Sequence, residues 1–513
     1  MSRVSDKRLD TIPTMRRGVV TAAVVVLVAS WSWWMDGAKG APASVPAVEQ
    51  GQDLPVAQVD AAPAQKIDGF GASGAWWPND LVKFPRSVQT RVGEMLFSRR
   101  GIALSGYRHN IGGGGVGVNT PARAPKEPAT DTAGLTFLRA ANDAHLPILT
   151  GFVNSAPPQF TTNGKSCGGS LEPGSEAAYA HYLAGVVKRL HDRDHITLRY
   201  VSPMNEPDNS FGDCGQEGMQ VPVEQRALVV QELGKELARQ APYAKVIADE
   251  TTADAILANE APQWLASPDT TQYLAAIVHH TYDFPNDALR QLVPPIASRF
   301  GRPTWMTEIC CYKGSGGVAT SFGAQYDPTI TQGLWLADQI YDDLTVAGDS
   351  AWYWWTALSP AIGCDPKADP QCVTRVNTEG FNDGLLYYDQ NQASDRVIDI
   401  FTTKRFFVVG QFSRYVPPGA VRHYVQGAPD GVRVMAFQHR GGWTLVAWNE
   451  GQTDAAFRLA FPSPRTTAGR AVETSATKQL SPTTPPTRSI AGAWAVHIAP
   501  QTVVTYTFSY SSR

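Results

Sequence analysis

Short apolar runs alternate with amphipathic stretches eight times between residues 69 and 415, and this alternation limits the possible folds more than any other feature of the 513-residue chain. The runs fall at residues 69–75, 103–111, 147–154, 198–204, 245–249, 275–280, 303–307 and 350–355. Between them the apolar spacing becomes helical, over 86–97, 132–144, 175–191, 223–241, 253–264, 287–300 and 330–347, with a last such stretch at 402–415. Eight strand-then-helix units over about 350 residues are what an α/β fold of the (β/α)8 TIM-barrel kind with long loops requires. A doubly wound sheet rarely reaches eight repeats, and no fixed short period suggests a solenoid. The barrel is predicted over 65–415. Beyond it the pattern changes to period two at 421–425, 432–438, 443–449, 455–459, 493–498 and 502–508, between Gly, Pro and Asp turns. That predicts a small antiparallel β-sandwich module over 416–513. The stretch 54–67, ahead of the barrel, is placed to donate a strand to it.

The N-terminus reads as a targeting segment. Arg16 and Arg17 precede an apolar run at 18–34, and small residues from Gly37 to Ala43 follow. A positive start, an apolar core and a small-residue exit predict a secretory signal peptide over 1–43, with 44–64 a Pro/Ala-rich linker that includes the donated strand. Met15 is an alternative start, and the Arg pair is a weak twin-arginine pattern. The apolar run is also about long enough to span a bilayer, but the small-residue exit favours cleavage. No later stretch is apolar enough to span, so a secreted, extracellular protein without stable membrane association is expected. Export permits disulfides, and the six Cys contain no CxxC zinc pattern. Cys364 with Cys372 and Cys167 with Cys214 are the expected pairs. Adjacent Cys310 and Cys311 are left to form a vicinal disulfide or to stay reduced.

The net charge of −3, from 47 acidic and 44 basic side chains, argues against nucleic acid as a partner. Fourteen Trp exceed what packing alone usually requires, and in a near-neutral chain they suggest flat, weakly polar ligands such as sugar rings. In a TIM barrel the active site lies at the carboxyl ends of the strands. Strand four ends in Asn205-Glu206-Pro207 and strand seven in Thr307-Glu308-Ile309. Two carboxylates facing each other across the barrel mouth are what glycosidic hydrolysis needs, one as proton donor and one as nucleophile.

Those two strand ends resemble clan A glycoside hydrolases, which are retaining (β/α)8 enzymes. Finer features resemble glycoside hydrolase family 30: Ile67-Asp68-Gly69-Phe70-Gly71-Ala72-Ser73, Tyr107-Arg108 with Gly112-Gly113, Asn154-Ser155-Ala156-Pro157-Pro158, and Phe406-Phe407 to Phe412-Ser413 with its Pro418-Gly419 exit. The likeness covers nearly all of the mature chain, including a β module packed beside the barrel. Within the family the loops are most similar to endo-β-1,6-galactanases, through Gly74-Ala75-Trp76-Trp77, Phe160 to Gly164 with Cys167-Gly168-Gly169, Cys310-Cys311-Tyr312 and Tyr353-Trp354-Trp355 to Leu358. The resemblance implies Glu206 as general acid/base and Glu308 as nucleophile. Asn205 resembles the residue that holds the sugar 2-hydroxyl, Arg108 the cation beside the nucleophile, and His280-Thr281-Tyr282 the clan's His-x-Tyr, with Tyr282 reaching the nucleophile. Asn154 belongs with the substrate-binding strand ends. Trp354 or Trp355 resembles the platform under the sugar, and Trp77 and Tyr312 are expected to extend it along the rim.

The implied activity is double displacement on internal β-1,6-galactosidic bonds of galactan or arabinogalactan side chains, by a monomer that needs neither cofactor nor metal. Another family 30 activity, on β-1,6-glucan or a glucosylceramide-like substrate, is the nearest alternative. A non-catalytic carbohydrate-binding protein is the rival of another class. Other signals carry less. Gly112 to Gly117 satisfies GxGxxG, but Asn119-Thr120-Pro121 follows where a dinucleotide site needs a helix start. His279, His280 and Asp283 form a poor metal set, because adjacent strand residues point to opposite faces. Asp249-Glu250, ending strand five, reads as a loop or subsite feature rather than a third acid. Ser105 and Ser155 lack a GxSxG elbow.

Overall fold

The computed structural model describes residues 54–314, 321–391, 399–462, 466–488 and 492–510. The expected signal peptide and most of the linker lie outside them. Eight parallel strands form a barrel: Gly69–Ser73, Gly106–Asn110, Ile148–Phe152, Tyr200–Ser202, Lys245–Thr251, Leu274–His280, Thr304–Glu308 and Ala351–Ser359. The ring closes where the seventh strand pairs with the eighth, Trp305 opposite Ala351 and Met306 opposite Trp352. Strands covered on both faces read as continuous apolar runs, which is why the sequence marks them as blocks rather than as alternation. Inside, Ile148, Ile247, Ala276, Val278, Trp305, Ala351 and Tyr353 fill the barrel. The Tyr353 ring sits so close to strands one and two that a Cβ at Gly71 would lie 2.1 Å from it, and one at Gly106 2.0 Å from its hydroxyl. Only glycine fits there.

The helices follow the apolar spacing with one correction. The single helix expected over 287–300 is two, Asp287–Arg290 and Val293–Phe300. Pro294 and Pro295 lack the N–H groups that would bond back into the first piece, and proline is tolerated only at a helix start. The eighth strand also carries an extension that period reading missed. Gly384–Tyr388 pairs parallel to its outer half, Thr356 opposite Gly384, and Ile400–Thr402 pairs antiparallel to that.

The β module is one continuous ten-stranded sheet that curls over its own core. Trp494 meets Phe508 at 5.3 Å between ring centroids although their strands are far apart in the sheet. Val56–Lys66 does join it, antiparallel to Val421–Gln426 and parallel to Ala455–Ala460. Alternation along Val432–His439 and Gly442–Asn449 sorts the side chains. Val434, Ala436, Leu445 and Ala447 enter the module core, while Met435, Phe437, Val446 and Trp448 pack with the barrel. Trp448 Nε1 donates to Asp338 on the barrel helix Ile330–Asp342 at 3.0 Å. The strand Thr466–Thr474 was not legible, since Gly469 and Arg470 break its apolar alternation.

Candidate active site

The strand ends bring most of the expected residues into one buried cluster. Glu308 is the last residue of strand seven, and Glu206 follows strand four in a left-handed conformation (φ 46°). One carboxylate oxygen of each, together with a ring nitrogen of His280, lie within 4.8 Å of one another. Arg108, on strand two, is fully buried. Its Nη1 donates to Glu308 Oε2 at 2.8 Å and to the Thr307 carbonyl at 3.0 Å. Its Nη2 donates to Asn205 Oδ1 at 3.1 Å and to Glu250 Oε2 at 3.0 Å. Tyr282 Oη donates to the other oxygen of Glu308, Oε1, at 2.8 Å. Glu308 is therefore gripped on both oxygens.

His280 ties the pair together. Nδ1 lies 3.2 Å from Glu206 Oε1 and Nε2 lies 3.0 Å from Glu250 Oε2. Burial works against a charged imidazole, but Glu308, Glu206 and Glu250 outweigh it and lift its pKa to about 9. Glu250 is also buried, which alone would raise it; Arg108, His280 and Thr307 hold it down at about 2. Burial raises Glu206 above the usual carboxylate range, with His280 opposing. Three buried carboxylates thus face Arg108 and His280, and Glu206 is the one driven towards its protonated form.

The rim residues divide. Trp355 lines a cavity of about 470 Å³ together with Glu206, Asn205, Tyr282 and Glu308. Trp354 points the other way, buried, with its Nε1 on the Asp383 carbonyl at 2.5 Å, because neighbours on a strand face opposite sides. Trp77 is not at the cavity. It starts the short helix Trp77–Leu81, donates to the Ser73 carbonyl and packs edge-on against Phe137 at 4.5 Å. Its neighbour Trp76 takes that place, edge-on to Trp355 at 5.1 Å. Tyr312 is likewise buried away from the cavity, stacked on Trp335. Asn154 is buried near the end of strand three with no hydrogen-bond partner for its amide, outside the cavity lining. Cys310 and Cys311 form a vicinal disulfide at the cavity, and the other two pairs are as expected.

Glu250, expected as a loop or subsite feature, lies instead in strand five, one residue before its end, buried against Arg108 and His280. His279 points away from the site, between Asp254 at 2.8 Å and Asp349 at 3.1 Å. Arg108→Met would strand two buried carboxylates. Losing one partner of a buried ion pair costs about 3–5 kcal/mol. We expect a lower Tm and a loss of kcat/KM of similar size on every substrate. A change confined to substrate preference would place Arg108 in a subsite instead.

Carboxylates paired at the mouth of a closed (β/α)8 barrel, with a β module alongside, are the architecture of a glycoside hydrolase. The chain belongs to family 30 of these enzymes: residues 57–365, more than half of it, match O-glycosyl hydrolase family 30. Solved structures share the fold. A conserved exported protein from Bacteroides fragilis superposes with TM-score 0.74 at 20% identity, covering 88% of this chain and 99% of that one. The family 30 subfamily 8 xylanase Xyn30A from Clostridium acetobutylicum gives 0.66 at 23%, covering 89% and 100%. The endo-β-1,6-glucanase BT3312 gives 0.64 at 15%, covering 89% and 94%.

Proposed function

We propose that this glycosidase is a secreted, monomeric, retaining endo-β-1,6-galactanase, processed by removal of residues 1–43. The observation that carries the retaining mechanism is the approach of the Glu206 and Glu308 oxygens to within 4.8 Å. Retaining enzymes hold their carboxyl groups about 5–5.5 Å apart, inverting ones about 6.5–9.5 Å, to leave room for water. Glu308, fixed by Arg108 and Tyr282, attacks the anomeric carbon. Glu206, its proton favoured by burial, gives that proton to the departing oxygen. It then takes one from the water that releases the sugar from Glu308. Asn205, oriented by Arg108, holds the 2-hydroxyl, where a hydrogen bond strengthens in the transition state.

The galactan reading rests on the loops. Trp76 and Trp355 line the cavity on one side, and Phe322, largely exposed and 6.2 Å from Tyr282, flanks it on the strand-seven side. Aromatic faces spread along a groove suit a polymer held by several weak contacts. Product analysis on linear β-1,6-galactan, β-1,6-glucan and xylan tests the substrate. Proton NMR of the first-formed anomer tests retention. Mixed-length β-1,6-galacto-oligosaccharides of retained configuration are expected; single galactose units, or glucan as the preferred polymer, would overturn the reading.

Trp76 and Trp77 should separate under mutation. Stacking is worth about 1 kcal/mol beyond area burial, so Trp76→Ala should lower kcat/KM about fivefold more on long oligosaccharides than on short ones. Trp77→Ala should instead cost about 3–5 kcal/mol of stability with no length dependence. The opposite assignment would show up in the same oligosaccharide ladder and melting curves.

A further inference from the structure

Phe211 lines the cavity and has no part in the two-acid mechanism. It stands shortly beyond Glu206 on the loop that leaves strand four, together with Asn209 and Gln216, which line the cavity as well. Its backbone is left-handed (φ 49°), a conformation that costs a bulky residue free energy. The loop holds it there. The Phe211 N–H donates to Asn209 Oδ1 at 3.0 Å, and the Phe211 carbonyl accepts from the Cys214 N–H at 2.9 Å. Asp208 Oδ1 accepts from the N–H of Thr252, just after strand five, at 3.1 Å, and the Cys167–Cys214 disulfide ties down the other end of the loop. The Phe211 ring packs against Gly218, where a Cβ would lie 2.1 Å from it. Trp76, Glu206 and Cys311 are the other left-handed non-glycine residues lining this cavity. Strained backbone persists where the surrounding structure fixes it, and it gathers at active sites and ligand clamps.

The order of strands around the ring decides which part of a ligand this ring meets. Strands four and five pair with each other on the side of the barrel opposite strands eight and one. Trp76 and Trp355 therefore line the cavity from one side, and Phe211, Asn209, Gln216 and Thr252 from the other. Glu206 belongs to the second side. The departing group takes its proton from Glu206 and so leaves along the strand-four loop, whereas the sugar kept on Glu308 stays nearer strands seven and eight. Phe211 is only part-buried, unlike the fully packed Trp354 and Tyr312. Gln216 is part-buried too, and its amide bonds to no described residue. An apolar ring flanked by an unused amide suits a neutral sugar, which offers a C–H face to the one and hydroxyl groups to the other.

We infer that Phe211 is the platform for the departing sugar, and equally for a second sugar that intercepts the Glu308 intermediate. In interception the acceptor's hydroxyl oxygen bonds to the anomeric carbon as the bond to Glu308 breaks, and its proton goes to Glu206. The inference rests on the glycosidase reading of the same cavity, and the test keeps the two apart. The substrate is whichever of β-1,6-galactotetraose, β-1,6-glucotetraose and xylotetraose the wild type cleaves fastest; its identity judges the galactan reading alone. On that substrate Phe211→Ala is expected to lower kcat/KM about fivefold, the worth of one stacking contact. On the β-fluoride of the matching disaccharide, whose leaving group has no ring to stack, kcat/KM should stay within about twofold of the wild type. This comparison holds for either stereochemical course. At a fixed acceptor concentration the ratio of transfer to hydrolysis should also fall about fivefold. Phe211→Tyr keeps the ring and should behave as the wild type in every assay. Phe211→Gly takes the left-handed backbone without strain and carries the same comparison should the alanine variant fold poorly. Equal losses on the tetraose and the fluoride, the mark of a merely structural residue, would overturn the inference. So would a tetraose kcat/KM within about twofold of the wild type in both Phe211→Ala and Phe211→Gly.

Discussion

Glu308→Gln is expected to reduce turnover by at least about 10⁴-fold on every glycoside, whatever its leaving group, because among the described residues no other cavity carboxylate is held by both Arg108 and Tyr282 as the proposed nucleophile is. The amide keeps an oxygen for Arg108 or Tyr282, so the fold should survive, and an unchanged Tm is the control. Azide supplied to the variant enters from the face that Glu308 occupied and displaces the leaving group directly. The product is then a glycosyl azide of inverted configuration. Recovery of a retained azide here would mean that the roles of Glu308 and Glu206 are exchanged.

Glu206→Gln should behave differently because the part proposed for it is proton transfer, worth about 10²- to 10⁴-fold. Substrates that leave without help, such as dinitrophenyl glycosides, should form the covalent intermediate at nearly the wild-type rate and then stall. Azide should relieve the stall and give a product of retained configuration. The pH profile supplies a second check. Burial raises Glu206 above the ordinary carboxylate range. As acid it is competent below its pKa and lost above it, so the basic limb of kcat/KM should report its deprotonation. That limb should vanish in Glu206→Gln. His280, held up at about 9 by the carboxylates around it, stays charged through the same window and is no rival for the assignment at neutral pH.

What the sequence made legible follows from which forces are local. The eight strands and their helices came from apolar periodicity, which burial on both faces of a barrel imposes directly. Glu206 and Glu308 came from position, as carboxylates where strands four and seven leave the barrel. The orientation of neighbours did not come through. Trp76 and Trp77 are equally aromatic, and only the left-handed turn at Trp76 (φ 67°) decides which ring reaches the cavity. Trp354 and Trp355 differ by one residue of strand register. Glu250 reads as a loop or subsite feature, because a third carboxylate has no separate role in a two-acid mechanism. Its place is in the charge balance, visible only once Arg108, His280 and Thr307 are seen around one oxygen.

The strand Val56–Lys66 lies in the sheet beside Val421–Gln426, and Arg422 Nε donates to Gln65 Oε1 across a sequence separation of 357. In order of synthesis the barrel is therefore an insertion within the module. This strand leaves the ribosome long before its sheet neighbours exist, and at about 5–20 residues per second it waits for tens of seconds. Export through a membrane in the unfolded state would remove that delay, since both halves of the sheet then become available together. Circular permutation that joins residue 56 to the last strand and opens a barrel loop should conversely lower the contact order of the module. The native enzyme gains from the arrangement a barrel whose start and finish are stitched into one sheet, so fraying at one end must first break the other.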